Sequence, residues 1–281
     1  MSNLRSESET ESPRDAPAEA ASTASYAGAP LILGLDTATE VRSVAIVLGG
    51  HVLACTRGRV VRENSARVLR DVEEALSAAG VKLADIELFA AAKGPGSFTG
   101  LRSGLATVKA FASTLNRPVA GVPTLHAVAY AGGAAQRVLA CLPAGRGELF
   151  AQLLALDDAK ALRELSEPVH LSPAALLEQA ANWGGGDLHW AGTGAHAHAA
   201  AIGEFAAAKG INWRFGESVA GEFDSEREVS WTLAPPADSY AKEIAALGLQ
   251  SYLDGSAAGA EELQALYVRL SDAELNERCR A

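Results

Sequence analysis

The run LILGLD, Leu31 to Asp36, is apolar up to a closing carboxylate and predicts a buried strand. SVAIVL (Ser43 to Leu48) and HVLACT (His51 to Thr56) repeat the signal on either side of Gly49-Gly50, where paired glycines between apolar runs predict a tight hairpin. The spacing then becomes helical. Val68, Leu69, Val72 and Leu76 form one stripe of a helix that opens with Asn64 or Ser65 as N-cap, runs to Ala79 and stops at Gly80. Ile86 to Ala92 predicts another strand. A Gly-Pro-Gly turn, a long helix from about Phe98 to Leu115 and a short strand around Val119 complete the order βββαβαβ, one α/β lobe with a mixed sheet flanked by helices.

Beyond Gly132-Gly133 a second hairpin is predicted from RVLACL (Arg137 to Leu142) and ELFAQLLAL (Glu148 to Leu156), joined through Gly145 to Gly147. Ser172-Pro173 opens a short helix in the cap-then-proline order, DLHWAG reads as a strand, and Ala195 to Lys209 as an Ala-rich helix. The polar stretch Asn212 to Pro236, with charges and two adjacent prolines, predicts a loop. Asp238 is placed to cap a last helix ending near Leu253, and ALYVRL (Ala265 to Leu270) predicts a final strand. The expected organisation is a disordered acidic tail over residues 1–29, a first lobe over 30–133 and a smaller second lobe over 134–281, with the C-terminal helix packing back on the first lobe.

Composition narrows the function. Among 281 residues, 24 Lys and Arg against 34 Asp and Glu leave a net charge of −10, which discourages unaided binding to a phosphate backbone, so any RNA is expected to be held through a partner. Cys55, Cys141 and Cys279 have neither disulfide nor zinc-finger spacing and read as reduced thiols. No apolar run reaches the roughly 18 residues of a membrane span, and residues 1–29 lack a basic region followed by an apolar core. No membrane association and a cytoplasmic location are expected.

The candidate chemistry lies in four places. Asp36-Thr37-Ala38-Thr39 puts a strand-end carboxylate beside hydroxyls, which suits either a metal-phosphate complex or an Asx turn. Gly94-Pro95-Gly96-Ser97 precedes a helix and suits an anion or a capped tight turn, but there is no Lys-Ser/Thr ending of a Walker loop and no G-x-S-x-G. The helix that follows has three faces: a core stripe (Leu101, Leu105, Val108, Ala112, Leu115), a polar stripe (Arg102, Lys109, Ser113, Asn116) and a face of mostly small residues. That third face, Gly100, Ser103, Gly104, Thr107, Ala110, Phe111 and Thr114, lets another helix approach, whether a partner's or the helix starting near Asn64. On the partner reading, an arginine at Gly104 or Thr107 blocks pairing and leaves the fold intact. The fourth place is Gly192-Thr193-Gly194-Ala195, a glycine turn opening a helix. His196 and His198 are two apart and diverge, the other four histidines stand singly, and neither HxxxH nor HExxH occurs, so no metal cluster is expected.

GPGSFTGLRSGLATVKAFA (Gly94 to Ala112), following GLDTAT (Gly34 to Thr39), closely resembles the bacterial TsaB family, also called YeaZ. The similarity continues through PTLHAVA (Pro123 to Ala129), RGELFAQ (Arg146 to Gln152), AGTGA (Ala191 to Ala195) and LYVRLSDAE (Leu266 to Glu274). The chain departs from it at Asn64, where many members carry His, at Pro143-Ala144, where Asp-Ala is common, and at Ala265, where Pro is usual. The resemblance implies the two-lobed actin, sugar kinase and Hsp70-like (RNase H-like) fold. It also implies a non-catalytic subunit that pairs with TsaD for threonylcarbamoyl transfer to tRNAs reading ANN codons, with TsaE as the associated ATPase. A homodimer is a further form it allows. The implied pairing uses the helices at Asn64 to Ala79 and Phe98 to Leu115. No cofactor is expected to be tightly bound; ATP or ADP is a candidate at the subunit junction, with weak nucleotide contact at Asp36, Thr37, Thr39, Gly192 and Gly194. The rival readings are an ATP-dependent kinase or TsaD-like transferase of the same fold, and a peptidase.

Overall fold

The computed structural model describes residues 28–58, 65–183, 186–216 and 229–268. Most of the acidic tail, Asn64, Arg269, Leu270 and Cys279 therefore lie outside the described residues.

The first sheet has the order β3-β2-β1-β4-β5, from β1 (Leu31–Asp36), β2 (Ser43–Leu48), β3 (His51–Arg57), β4 (Leu88–Gly94) and β5 (Val119–Pro123). β1 runs antiparallel to β2 in unbroken register from Leu31↔Leu48 to Asp36↔Ser43, and parallel to β4. Gly49 and Gly50 both have positive φ (54° and 84°), the conformation a two-residue hairpin needs. Alternation sends Leu31, Leu33 and Leu35 to one face, where they meet Val68 and Val72 of α1 (Ser65–Ala79) and Leu105 and Val108 of α2 (Phe98–Leu115).

The second sheet has the order β11-β12-β10-β6-β7-β8. Its strands are β6 (Ala135–Gly145), β7 (Glu148–Leu156), β8 (Leu162–Glu164), β10 (Leu188–Ala191), β11 (Asn212–Phe215) and β12 (Ser230–Leu233), and β9 (Val169–Leu171) also pairs with β7. One face packs Leu139, Trp190 and Trp231 against α4 (Pro173–Asn182) and α6 (Ala199–Ala208). The other face, with Val138, Leu142 and Leu154, joins a single core with Ile32, Leu88 and Ala90 of the first sheet through α3 (Thr124–Gly132) and α7 (Ala241–Leu253). α7 lies close on the first sheet because the contact points are small: a Cβ on Gly248 would come within 2.6 Å of the Ala90 methyl.

Four expectations are corrected. Asn212 to Pro236 is not one loop, since it contains β11 and β12. Thr232 is tolerated in a wholly buried strand because its hydroxyl pairs with His189 (2.7 Å); Ser230 donates its N–H to Asp187 (2.8 Å), while its hydroxyl is buried without a hydrogen-bond partner among the described residues. Residues 265–268 form no strand; Leu266 N–H donates to Lys93 O (2.6 Å) without continuing a ladder. Asp238 does not cap α7, because its carboxylate accepts from Arg57 (2.7 Å) and the helix starts after Tyr240. The helix expected from Ala195 breaks at His198 into α5 (Thr193–Ala197) and α6.

Candidate functional site

The turn after β1 folds on itself. Asp36 Oδ1 accepts from the backbone N–H of Ala38 (2.8 Å) and Thr39 (3.3 Å), and the Thr39 hydroxyl donates to Oδ2 (2.5 Å). Asp36 is fully buried, and burial outweighs those hydrogen bonds and pushes its carboxyl up to about 6. Both oxygens are thus engaged by the turn they shape.

Thr37 and Ala38 face the Gly94–Ser97 turn. The Thr37 hydroxyl donates to Gly100 O (2.8 Å), and Ser97 N–H donates to Ala38 O (2.8 Å). A Cβ on Gly96 would collide with Ala38 O, and one on Gly104 with Thr37 Oγ1. Ser97 Oγ caps α2 by accepting from Gly100 N–H (3.2 Å). The two sequence motifs are therefore one dock, and the glycines are accounted for by the close approach of protein to protein.

This corrects part of the predicted partner face. Gly100 and Gly104 are buried against the Thr37 loop. Ser103 and Thr107 are half-buried, and Ala110 and Thr114 are exposed. Two of the hydroxyls fold back on the helix, Thr107 to Ser103 O (2.9 Å) and Thr114 to Ala110 O (2.7 Å), so this face turns less polarity outward than its residue types suggest. Phe111 leans toward α1 and packs on Phe89, with ring centroids 5.9 Å apart. Phe111 with Leu69, Val72, Leu76, Val81 and Leu83 lines a mainly apolar groove of about 440 Å³ between the two helices, its lining completed by Glu73 and Ser77 of α1. Leu69, expected in the core stripe, stands on its rim at 51% exposure.

Sequence reasoning missed the tie that holds α1. Arg42 donates to Asp71 Oδ2 through Nε (3.0 Å) and Nη2 (2.9 Å), and the Thr56 hydroxyl donates to Asp71 O (3.2 Å). An arginine beside a turn and an aspartate 29 residues later in a helix carry no spacing signal, so only the fold brings them together.

The other predicted residues meet at the junction of the two sheets. A Cβ on Gly192 would collide with Cys141 O, and one on Gly194 would lie 2.9 Å from Leu142 N, so this turn is seated on β6. Tyr240, buried at the start of α7, lies between the two turns: burial, Asp36 and Glu243 push its phenol up, while the Thr193 backbone draws it down. Burial likewise pushes the Glu243 carboxyl up. Among the described residues no group of three or more His, Cys, Asp or Glu could hold a metal ion, and no helix is long and apolar enough to cross a membrane. His126 and His170 pair with Glu164 (3.0 Å) and Glu148 (2.9 Å).

Residues 59–251 match the family profile described as TsaD: tRNA N6-adenosine threonylcarbamoyltransferase. The chain belongs to the TsaD family. Within this family it is similar to TsaB and YeaZ proteins. Over 126 residues it is 37% identical to the tRNA threonylcarbamoyladenosine biosynthesis protein TsaB of Escherichia coli (strain K12), a match covering 42% of this chain and 52% of that protein. Over 125 residues it is 32% identical to the protein of the same name from Haemophilus influenzae, covering 42% and 51%. The chain thus spans about half the length of the curated relatives it matches. Among solved structures, YeaZ from Pseudomonas aeruginosa aligns with a TM-score of 0.63 at 26% identity, covering 85% of this chain and 99% of that one. The α/β fold of two mixed sheets flanked by helices is therefore that of YeaZ, as expected from the TsaB resemblance.

Proposed function

We propose that this chain is a TsaB-type accessory subunit, without an active site of its own, that pairs with TsaD in the making of threonylcarbamoyladenosine in tRNA. The observation that carries this reading is the α1–α2 face. It combines an open apolar groove, an exposed Leu69, a half-buried Phe111 and inward-folded threonine hydroxyls in a chain whose named relatives act in this biosynthesis. A face of this kind suits a helix pair of a partner, whose apolar side chains would fill the groove. TsaD is the proposed occupant, TsaE joins the pair in the working complex, and a second copy of this chain takes the same face when TsaD is absent. tRNA is reached through TsaD, in keeping with the net charge of −10. ATP or ADP is assigned to the junction between subunits, since the Asp36 oxygens are already engaged inside this one.

The test is co-purification with TsaD of the same organism, using the parent chain, Leu69→Arg and Thr107→Arg, together with ATP turnover by the isolated chain. Loss of TsaD in both variants with melting temperatures unchanged supports the reading. Full recovery of TsaD by both variants, or robust ATP turnover by the chain alone, overturns it, the latter in favour of a kinase-like enzyme working at the Asp36–Tyr240 junction.

A further inference from the structure

We propose that the loop from Asp36 to Arg42 is a clamp that sets how α1 lies against α2, with Thr37 and Arg42 as positioning residues for partner docking; this rests on the reading of the α1–α2 face given above. The two ends of the loop hold different helices. At one end the Thr37 hydroxyl and Ala38 O take Gly100 O and Ser97 N–H, fixing the first turn of α2. At the other, the Arg42 guanidinium grips Asp71 of α1 with two donors on one oxygen, both side chains being largely buried at 10% and 15% exposure. Asp36 fixes the shape of the loop between them through Ala38 and Thr39.

Across the groove itself α2 meets α1 through the apolar Phe111, and such contacts have no directional preference. Hydrogen bonds and the ion pair of the loop supply the missing direction, because they weaken steeply away from one geometry. The surroundings are fitted to them: a Cβ on Gly58 would lie 2.8 Å from Arg42 Nη2 and 2.9 Å from Asp71 Oδ2, so the site is filled to the limit that glycine allows. Neither positioning residue lines the groove, and both are buried, Thr37 at 2% and Arg42 at 8% exposure. Their influence on a partner therefore passes through the two helices and not through contact.

The experiment measures the Kd of the full chain for TsaD of the same organism, and, in the free chain without Cys55 and Cys279, the distance between spin labels at Glu73→Cys and Ala110→Cys. Thr37→Val keeps the side-chain shape and removes the hydroxyl. Arg42→Met with Asp71→Leu removes both charges together, so neither is left buried alone. Leu69→Arg probes the face directly, and Ile202→Val, in α6 on the far side of the second sheet, is the control for stability alone. The clamp variants are expected to stay folded, to broaden the label distance and to raise Kd about tenfold, while Ile202→Val changes neither. A parental Kd in the clamp variants, beside lost binding in Leu69→Arg, overturns the clamp and leaves the docking reading standing. A raised Kd with an unchanged label distance also overturns the clamp, and parental binding in Leu69→Arg overturns both. If the double variant does not fold, Thr37→Val decides.

Discussion

Thr37 and Gly104 share one space: the Thr37 hydroxyl stands where a Cβ on Gly104 would have to be. Gly104→Ala is therefore expected to destabilise the chain by about 2 kcal/mol through overpacking at a site that cannot yield without breaking the Thr37–Gly100 bond. In a Thr37→Ala background the same substitution is expected to cost much less. Denaturant melts of the four chains check this, and additive costs would show that the two side chains do not compete. Gly104→Arg belongs with the folding defects and is no probe of a partner.

Thr107→Arg has the opposite profile. Thr107 is half-buried on the solvent side of α2, so the variant is expected to melt within about 0.5 kcal/mol of the parent, whereas Leu105→Arg, one of the apolar contacts beneath α2, is expected to lose the fold. Melting curves distinguish the two, and a Thr107 variant as unstable as the Leu105 variant would place that face inside the molecule.

Asp36 gives a pH dependence whose sign is fixed. Its folded-state carboxyl titrates near 6, above the ordinary 3.8, so the folded chain binds the proton more tightly than the unfolded chain between these values. Stability from this group is present at low pH and is lost as pH rises through about 6, a difference of roughly 3 kcal/mol. Asp36→Asn, which keeps an acceptor for Ala38 and Thr39, should gain on the parent by that amount between about pH 4 and pH 7. A stability difference that stays flat across this range would contradict it.

His189 works in the reverse direction. Gly132 O can only accept, so His189 Nε2–H donates to it (2.9 Å); in the neutral ring Nδ1 then accepts from the Thr232 hydroxyl (2.7 Å). Burial pushes its pKa below the ordinary 6.5. The unfolded chain takes up the proton first, so the stability is full above about pH 6.5 and falls as pH drops below it, by at most about 1.4 kcal/mol per pH unit. His189→Gln should flatten that part of the profile; an unchanged slope between about pH 6.5 and pH 5 would remove His189 as its source.

Much of the first lobe was legible because its signals are local. Gly49-Gly50 demanded a hairpin, and Val68, Val72, Leu105 and Val108 fell on the stripes that their spacing predicts. The strand at Ser230 to Leu233 was illegible because the groups that tie it in, His189 on the Thr232 hydroxyl and Asp187 on the Ser230 N–H, lie about 40 residues earlier in the chain. The same limit applied to Arg42 and Asp71. Leu69 was misread for a different reason: periodicity marks which residues are apolar but not which of them reaches the core, and Leu69 stands on a rim. The glycines of the two turns drew attention to a ligand and Gly104 to a partner helix, yet Gly96, Gly104, Gly192 and Gly194 each admit another part of the same chain.

The placement of α3 and α7 between the two sheets has a mechanical consequence. In a molecule whose halves are separate bodies joined by linkers, closing and opening of a cleft cost little. Here α7 lies on the first sheet, α3 lies mainly on the second, and the two helices pack on each other within one core, so any scissor motion would drag Leu125, Val128, Ile244 and Ala245 out of a shared apolar interior. Moving one sheet against the other is therefore expected to cost more here than in two lobes joined only by linkers. Cutting it at Gly133 would leave two fragments, each with one sheet face bare, and heating the whole should give one transition in place of two.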